Sequence, residues 1–149
     1  MGKLCVIRIR SSVKKSASIG AVIKNLDLHK LYSCVLLDNS PSNLGMVKKA
    51  ESVLTYGEIN NETLKKLLLK RARLSNRKKY EWQDAQLDET VQSLLSGNSS
   101  LEDIKIKRVF NLHPPIKGFE RRGKKTPYSS KGVFGYRGAN INDLLERMI

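Results

Sequence analysis

Acidic residues, cysteines and long apolar runs are all scarce in this chain of 149 residues. Its 14 Asp and Glu stand against 28 Lys and Arg, a formal net charge of +14 at pH 7. A charge that far from zero speaks about partners and not about fold, and counterion release on contact with phosphates is the usual force that exploits it. Two cysteines, Cys5 and Cys34, without a Cys-x-x-Cys pair, support neither a disulfide scaffold nor a zinc site. Both fall in apolar stretches and read as small core residues. No apolar run approaches the roughly 20 residues of a spanning helix, and the bases are not confined to one amphipathic face. Residues 1–10 hold too short an apolar stretch for a secretion signal, so a cytoplasmic protein with no membrane partner is expected.

Catalytic groupings are equally sparse. The two histidines are His29, read as a helix-end residue, and His113, which precedes two prolines in a basic region. Only Glu120 lies near His113 in sequence, and no His, Cys, Asp and Glu cluster has ligand spacing. No Gly-x-x-x-x-Gly-Lys-Ser/Thr phosphate loop occurs. The sequence therefore predicts no enzyme, no metal, no cofactor and no small-molecule substrate.

What the chain does contain is a regular first third. Residues 3–10 alternate, with Cys5, Ile7 and Ile9 on one side and Arg8 and Arg10 on the other, which predicts a half-exposed strand. Ser18 is a plausible cap for a helix carrying Ile19, Val22, Ile23 and Leu26. Residues 32–37 read as a more buried strand ended by Asp38-Asn39-Ser40-Pro41. A helix over 44–53 and a short extended piece over 54–59 follow. Strand and helix alternating in this way predict an α+β fold, a small sheet backed by helices.

Residues 60–98 read as a helical hairpin insertion. Asn61 can cap a helix with a Leu64, Leu67, Leu68 and Ala72 stripe, 75–79 can turn, and Asp84 can cap a second helix with Leu87, Val91, Leu94 and Leu95 inward, closed by Gly97. Charge divides unevenly here: residues 65–79 hold eight bases and no acid, and 81–103 six acids and no base. The basic tip and side are therefore candidates for an anionic partner.

Residues 99–149 form the third stretch. Between Lys105 and Asn142 ten bases meet one acid, Glu120, with Pro, Gly and aromatic residues threaded through them. Such a segment reads as too charged and irregular to bury itself, and as one that needs a polyanion nearby. Flat rings among flexible cations suit unpaired bases and a phosphate backbone. A short closing helix, capped by Asn140, carries Ile141, Leu144, Leu145 and Met148 on one face and is expected to dock on the core.

Several motifs lie in order along the chain: Asn43-Leu-Gly45-Met46-Val-Lys-Lys49, Thr55-Tyr-Gly57-Glu-Ile59, Phe110-Asn-Leu-His113-Pro114-Pro115-Ile-Lys-Gly118-Phe119, Gly135-Tyr136-Arg137-Gly138, and Ile141-Asn-Asp-Leu144-Leu-Glu-Arg-Met148. Together they resemble the universal large-subunit ribosomal protein family numbered thirty in bacteria and seven in eukaryotes, in its archaeal form. The resemblance implies a three-stranded sheet with two helices on one face, a relative of the ferredoxin-like fold, over residues 1–59. It also implies a structural constituent of the large ribosomal subunit, bound to ribosomal RNA and to neighbouring ribosomal proteins. An assembly factor of the same family on precursor RNA is the alternative, with an RNA-processing enzyme the remote one. The residues expected to touch RNA are Arg8, Arg10, Lys14, Lys15, Lys48, Lys49, Arg77, Lys78, Lys79, His113, Lys117, Arg121, Arg122, Lys124, Lys125, Tyr128, Lys131 and Arg137. Gly45, Gly118 and Gly135 serve either close backbone approach or simple turns.

Overall fold

A computed structural model describes residues 2–149 apart from 14, 75, 77, 98–100 and 102, with the main chain alone at 84 and 85. Strand β1 (Lys3–Arg8) leads to helix α1 (Ala17–Asn25), strand β2 (Ser33–Asp38), helix α2 (Pro41–Lys49) and strand β3 (Leu54–Glu58). Helices α3 (Asn61–Arg71) and α4 (Asp84–Ser96) follow, then β4 (Val109–Asn111), β5 (Gly135–Tyr136) and α5 (Ile141–Met148). The class is α+β, as the alternation predicts.

The sheet order is β4-β2-β1-β3-β5. The three expected strands form its centre, with β2 and β3 both antiparallel to β1: Ile7 faces Cys34 and Arg8 faces Leu54. The basic third stretch supplies both edges. Strand β4 pairs antiparallel with β2, Asn111 opposite Ser33, and β5 pairs parallel with β3, Gly135 opposite Thr55. Strands of three and two residues are too short to show period-two patterning, so sequence alone yields three strands and the structure five.

Strand β1 is corrected in a second respect. All six of its residues are buried, where a half-exposed strand was expected. Leu4 and Val6 point into one core with Val35, Leu37, Leu54 and Tyr56, roofed by Val22, Ile23, Leu26 and Val47 of α1 and α2 and the turn after α1. Cys5 and Ile7 point into the other with Cys34 and Leu36, roofed by Leu64, Leu67 and Leu68 of α3, Leu87, Val91 and Leu94 of α4, and Ile141, Leu144, Leu145 and Met148 of α5. The second roof comes from residues far along the chain, which is why the strand's own alternation does not reveal it. Each fully buried leucine contributes roughly 1.5–3 kcal/mol, so this second layer is a main source of stability and not an ornament on a finished core.

Helix boundaries follow local chemistry. Helix α2 starts with Pro41 at its first turn, and the Ser40 hydroxyl accepts from the Asn43 N–H at 3.2 Å. It ends at Lys49, earlier than the 44–53 pattern suggests, because residues 50–53 turn into β3. Helix α4 ends on Gly97 at φ 81, the left-handed conformation glycine adopts without strain. Helices α3 and α4 do pack as a hairpin, with Lys65 paired to Asp88 at 2.5 Å. Their connection is longer than a simple turn: the Trp82 indole N–H donates to Leu68 O at 3.0 Å, and Tyr80 packs against Trp82 with ring centroids 4.5 Å apart.

Two small features fix α5 to the sheet. A Cβ on Gly57 would lie 2.1 Å from Gly138 O, so only glycine permits this approach. Asn142 accepts from the Asn60 N–H at 2.9 Å and donates to Glu58 O at 3.1 Å and Ala139 O at 2.7 Å, joining β3, α3 and α5 through one amide.

Candidate nucleic-acid interface

The strand directions gather the basic residues. β1 finishes, and β2 and β3 start, at one end of the sheet. β4 finishes and β5 starts there as well. The connections 9–16, 30–32, 50–53 and 112–134 therefore emerge together. Lys15, Lys48, Lys49, His113, Lys117, Arg121, Arg122, Lys125 and Lys131 lie on or beside these connections, and all are exposed. Helix α3 runs back toward the same end, where Arg71 donates to the Ile149 oxygen at 2.6 Å. Lys78 and Lys79 lie beyond it and are also exposed. None of these eleven side chains is in an ion pair among the described residues. The carboxylates that do pair with cations engage Lys3, His29, Lys65, Lys66, Arg137 and Arg147 instead. This leaves an end with unneutralised positive charge, the field that draws in a polyanion.

Two of the residues expected to touch RNA have side chains turned inward. Arg8 is 8% exposed and donates to Leu28 O at 2.7 Å and His29 O at 2.8 Å, tying the loop after α1 to β1. Burial lowers its pKa. Arg137 is 4% exposed and donates to Thr55 Oγ1 at 2.9 Å and Val133 O at 3.0 Å. Its two terminal nitrogens grip Glu120 at 2.5 and 2.8 Å. Counting the further bonds from Arg8 to Arg10 O and Ser12 Oγ, four of the five N–H donors of each guanidinium are used inside the protein.

The same pair overturns the reading of the basic segment as unable to bury itself. Glu120 also lies 3.5 Å from Arg147, whose NH1 holds Gly118 O at 2.8 Å. Burial pushes the Glu120 carboxyl up, but the Arg137 hydrogen bonds, its own N–H and the charges of Arg137 and Arg147 outweigh that and hold it below the usual carboxylate range. The only acid in the segment is thus its internal anchor. Its isolation among ten bases was the available signal.

Other members of the candidate set are partly engaged. Arg10 donates to Ser52 O at 3.2 Å and lies over the Phe134 ring. Lys124 donates to the Tyr32 hydroxyl at 2.6 Å and sits within 5 Å of both the Tyr32 and Phe119 ring centroids, 4.9 and 4.8 Å. Tyr128 carries the Arg137 guanidinium on its ring at 4.4 Å, so that face is not open to a base. Lys14 and Arg77 fall outside the described residues. Of the three glycines, Gly45 has open space around a Cβ and needs no close approach; Gly118 and Gly135 adopt φ 77 and 97.

Among the described residues no group of three His, Cys, Asp or Glu side chains is placed to hold a metal ion. No described helix is long and apolar enough to cross a membrane.

With this geometry in view, comparison with known proteins is direct. The family model described as Ribosomal protein L30p/L7e matches residues 4–53, from β1 to the turn before β3. Over nearly the full chain the protein is 39% identical across 150 residues to Large ribosomal subunit protein uL30 of Methanococcus maripaludis, covering 97% of each. It is 34% identical across 155 residues to uL30 of Nanoarchaeum equitans, covering 100% of each, and 39% identical to uL30 of Methanopyrus kandleri, covering 95% of this chain and 100% of the relative. The likeness runs through the helical hairpin and the basic stretch as well as the core, and the chain belongs to the L30p/L7e family of ribosomal proteins, in its archaeal type.

Proposed function

We propose that this protein is a constituent of the large ribosomal subunit, in the cytoplasm, that holds ribosomal RNA by neutralising its phosphates. The family is structural and non-enzymatic, and the relatives above carry the name of a large-subunit protein. One observation carries the proposal: Lys15, Lys48, Lys49, Lys117, Arg121, Arg122, Lys125 and Lys131 come from separate connections, yet converge at one end of the sheet, exposed and unpaired with any described carboxylate. Phosphate contacts of this kind fix register and orientation and carry little sequence information. The folded core fixes the main chain that carries these cations, so less backbone freedom is lost on binding than an unstructured basic arm would lose. Arg8, Arg137 and Glu120 serve this function at one remove, by shaping the loops that present the others. His113, exposed beside Pro114 and with its N–H bound to Met148 O at 3.0 Å, offers its ring to a phosphate or a base. In this reading residues 1–59 supply the platform, 60–98 part of a second roof with a basic tip, and 99–149 the edges and the largest single share of the exposed bases among the described residues.

Neighbouring ribosomal proteins are the second class of partner, and the acidic α4, with Asp88 and Glu89 exposed, fits a basic one. Co-sedimentation of the tagged protein with subunits from growing cells tests the reading. Stoichiometric recovery in mature large subunits is expected. Recovery in precursor particles alone would mark an assembly factor instead.

A further inference from the structure

A cleft of about 490 Å³ opens at the outer edge of β4. It is lined by Lys30, Arg71, Arg73, Lys107, Val109 and Asn111. Four cations face one space, and no carboxylate lines it. None of the four is in an ion pair among the described residues. Arg71 spends one terminal nitrogen on the Ile149 oxygen, but its Nε is buried with no partner. Burial first, and then the Arg73 charge, lower the Arg71 pKa. Two guanidinium groups are thus crowded together, with no Asp or Glu among the lining residues.

The floor of the cleft has a deficit of its own. β4 is the last strand on its side of the sheet. The Leu112 N–H donates to Tyr32 O at 3.0 Å, on the side of β2. Main-chain groups alternate along an antiparallel strand, so the N–H and C=O of Val109 and Asn111 face away from β2, into the cleft. An open strand edge is a row of unused donors and acceptors. Here it is ringed by cations.

We propose that this cleft seats the sugar–phosphate backbone of a ribosomal RNA strand, with phosphodiester oxygens among Lys30, Arg73 and Lys107, and with the outward edge of β4 meeting sugar hydroxyls. The proposal deepens the ribosomal-RNA reading and rests on it. The volume lies within the roughly 300–1,000 Å³ of ligand-sized clefts, and arginine forks match phosphate geometry in pairs of hydrogen bonds. A peptide strand is the other occupant an open edge accepts. Four cations with no Asp or Glu among the lining residues favour phosphate over a neutral peptide.

The test compares the full-length wild type with a Lys30→Gln/Arg73→Gln/Lys107→Gln variant for binding to large-subunit ribosomal RNA across salt. Arg71 is left in place because it holds Ile149. The three side chains are exposed, and the melting temperature of the variant confirms its fold. Each lost phosphate contact removes about 0.7–0.9 from the log–log salt slope, so the variant is expected to be flatter by about 2 and weaker by at least roughly tenfold at 0.1 M salt. In parallel, acetylation of Lys30 and Lys107 in the wild type is expected to slow on binding RNA alone. Unchanged affinity and slope in the variant, beside a steep wild type, would overturn the cleft while leaving RNA binding by the protein intact. A wild type with no salt-steep binding would remove both. Shielding of the two lysines in assembled subunits but not by RNA alone would assign the cleft to an acidic protein neighbour and overturn the proposal.

Discussion

Arg137 and Glu120 meet across 17 residues of the basic segment in a two-pronged ion pair, with the arginine side chain 2% and the glutamate side chain 23% exposed. Arg137 also reaches Thr55 in β3 and covers Tyr128, so the pair ties the connection between β4 and β5 to the sheet. Taking one partner away leaves a buried charge uncompensated, which typically costs about 3–5 kcal/mol. Because Glu120 keeps some access to water, a Glu120→Gln variant is expected to lose about 2–3 kcal/mol in urea unfolding. Trypsin should then cut at Arg121, Arg122 and Lys124 faster than in the wild type.

The pair also sets a dependence on pH. The folded Glu120 pKa lies below its ordinary value, against roughly 4.3 for an unfolded glutamate. Its contribution is therefore fully present above the unfolded value and disappears as pH falls through the folded one. Unfolding free energies of wild type and Glu120→Gln measured from pH 7 downward should converge on the acid side. A constant difference down to the lowest pH at which both fold would refute the charge pairing as the source of stability.

Gly57 and Gly45 make a matched test of packing. A Cβ at Gly57 meets Gly138 O at 2.1 Å and Ile141 Cβ at 3.0 Å, main chain and a packed side chain that have no room to yield. Gly57→Ala is expected to destabilise by about 2 kcal/mol or more, as overpacking does. Gly45, inside α2, has nothing within 4 Å of its would-be Cβ. Gly45→Ala should stabilise by about 0.5–1 kcal/mol through helix propensity and a stiffer unfolded chain. Thermal melts of the two variants give the signs directly.

Cys5 and Cys34 lie diagonally across β1 and β2 with their sulfurs 3.2 Å apart, both wholly buried. Burial first, then the Cys34 hydrogen bond and charge, raise the Cys5 pKa well above its ordinary value. Since the thiolate is the reactive form, alkylation by iodoacetamide should proceed only as fast as the protein opens. Modification at the rate of a free thiol in the native protein would contradict the double-sided burial of the central strand.

The sequence makes some of this legible and hides the rest for physical reasons. Stripes such as Leu64, Leu67 and Leu68, or Ile141, Leu144, Leu145 and Met148, are local patterns, and all seven residues are buried. Arg8 sits on the apparently polar side of an alternating strand and Arg137 in a Gly-rich basic run, so both read as outward. Their partners, Leu28, Glu120 and Thr55, are remote in sequence and leave no mark in local spacing. The second roof over β1 and the edge strands β4 and β5 have the same origin: they are long-range pairings. The cleft beside β4 leaves no mark in the sequence because Lys30, Arg71, Arg73 and Lys107 come from three separate stretches that only folding brings together.

Binding of ribosomal RNA phosphates by the cationic end of the sheet, as proposed, is read out by the salt dependence of RNA affinity for three proteins: wild type, an Arg121→Gln/Arg122→Gln/Lys125→Gln variant of that end, and an Asp88→Ser/Glu89→Ser variant of α4. The expected result is a steep wild-type slope, a slope flatter by about 2 in the cationic-end variant at about 0.7–0.9 per phosphate, and no weakening in the α4 variant. A binding constant nearly independent of salt, or greater damage from the α4 substitutions in a folded protein, would contradict it.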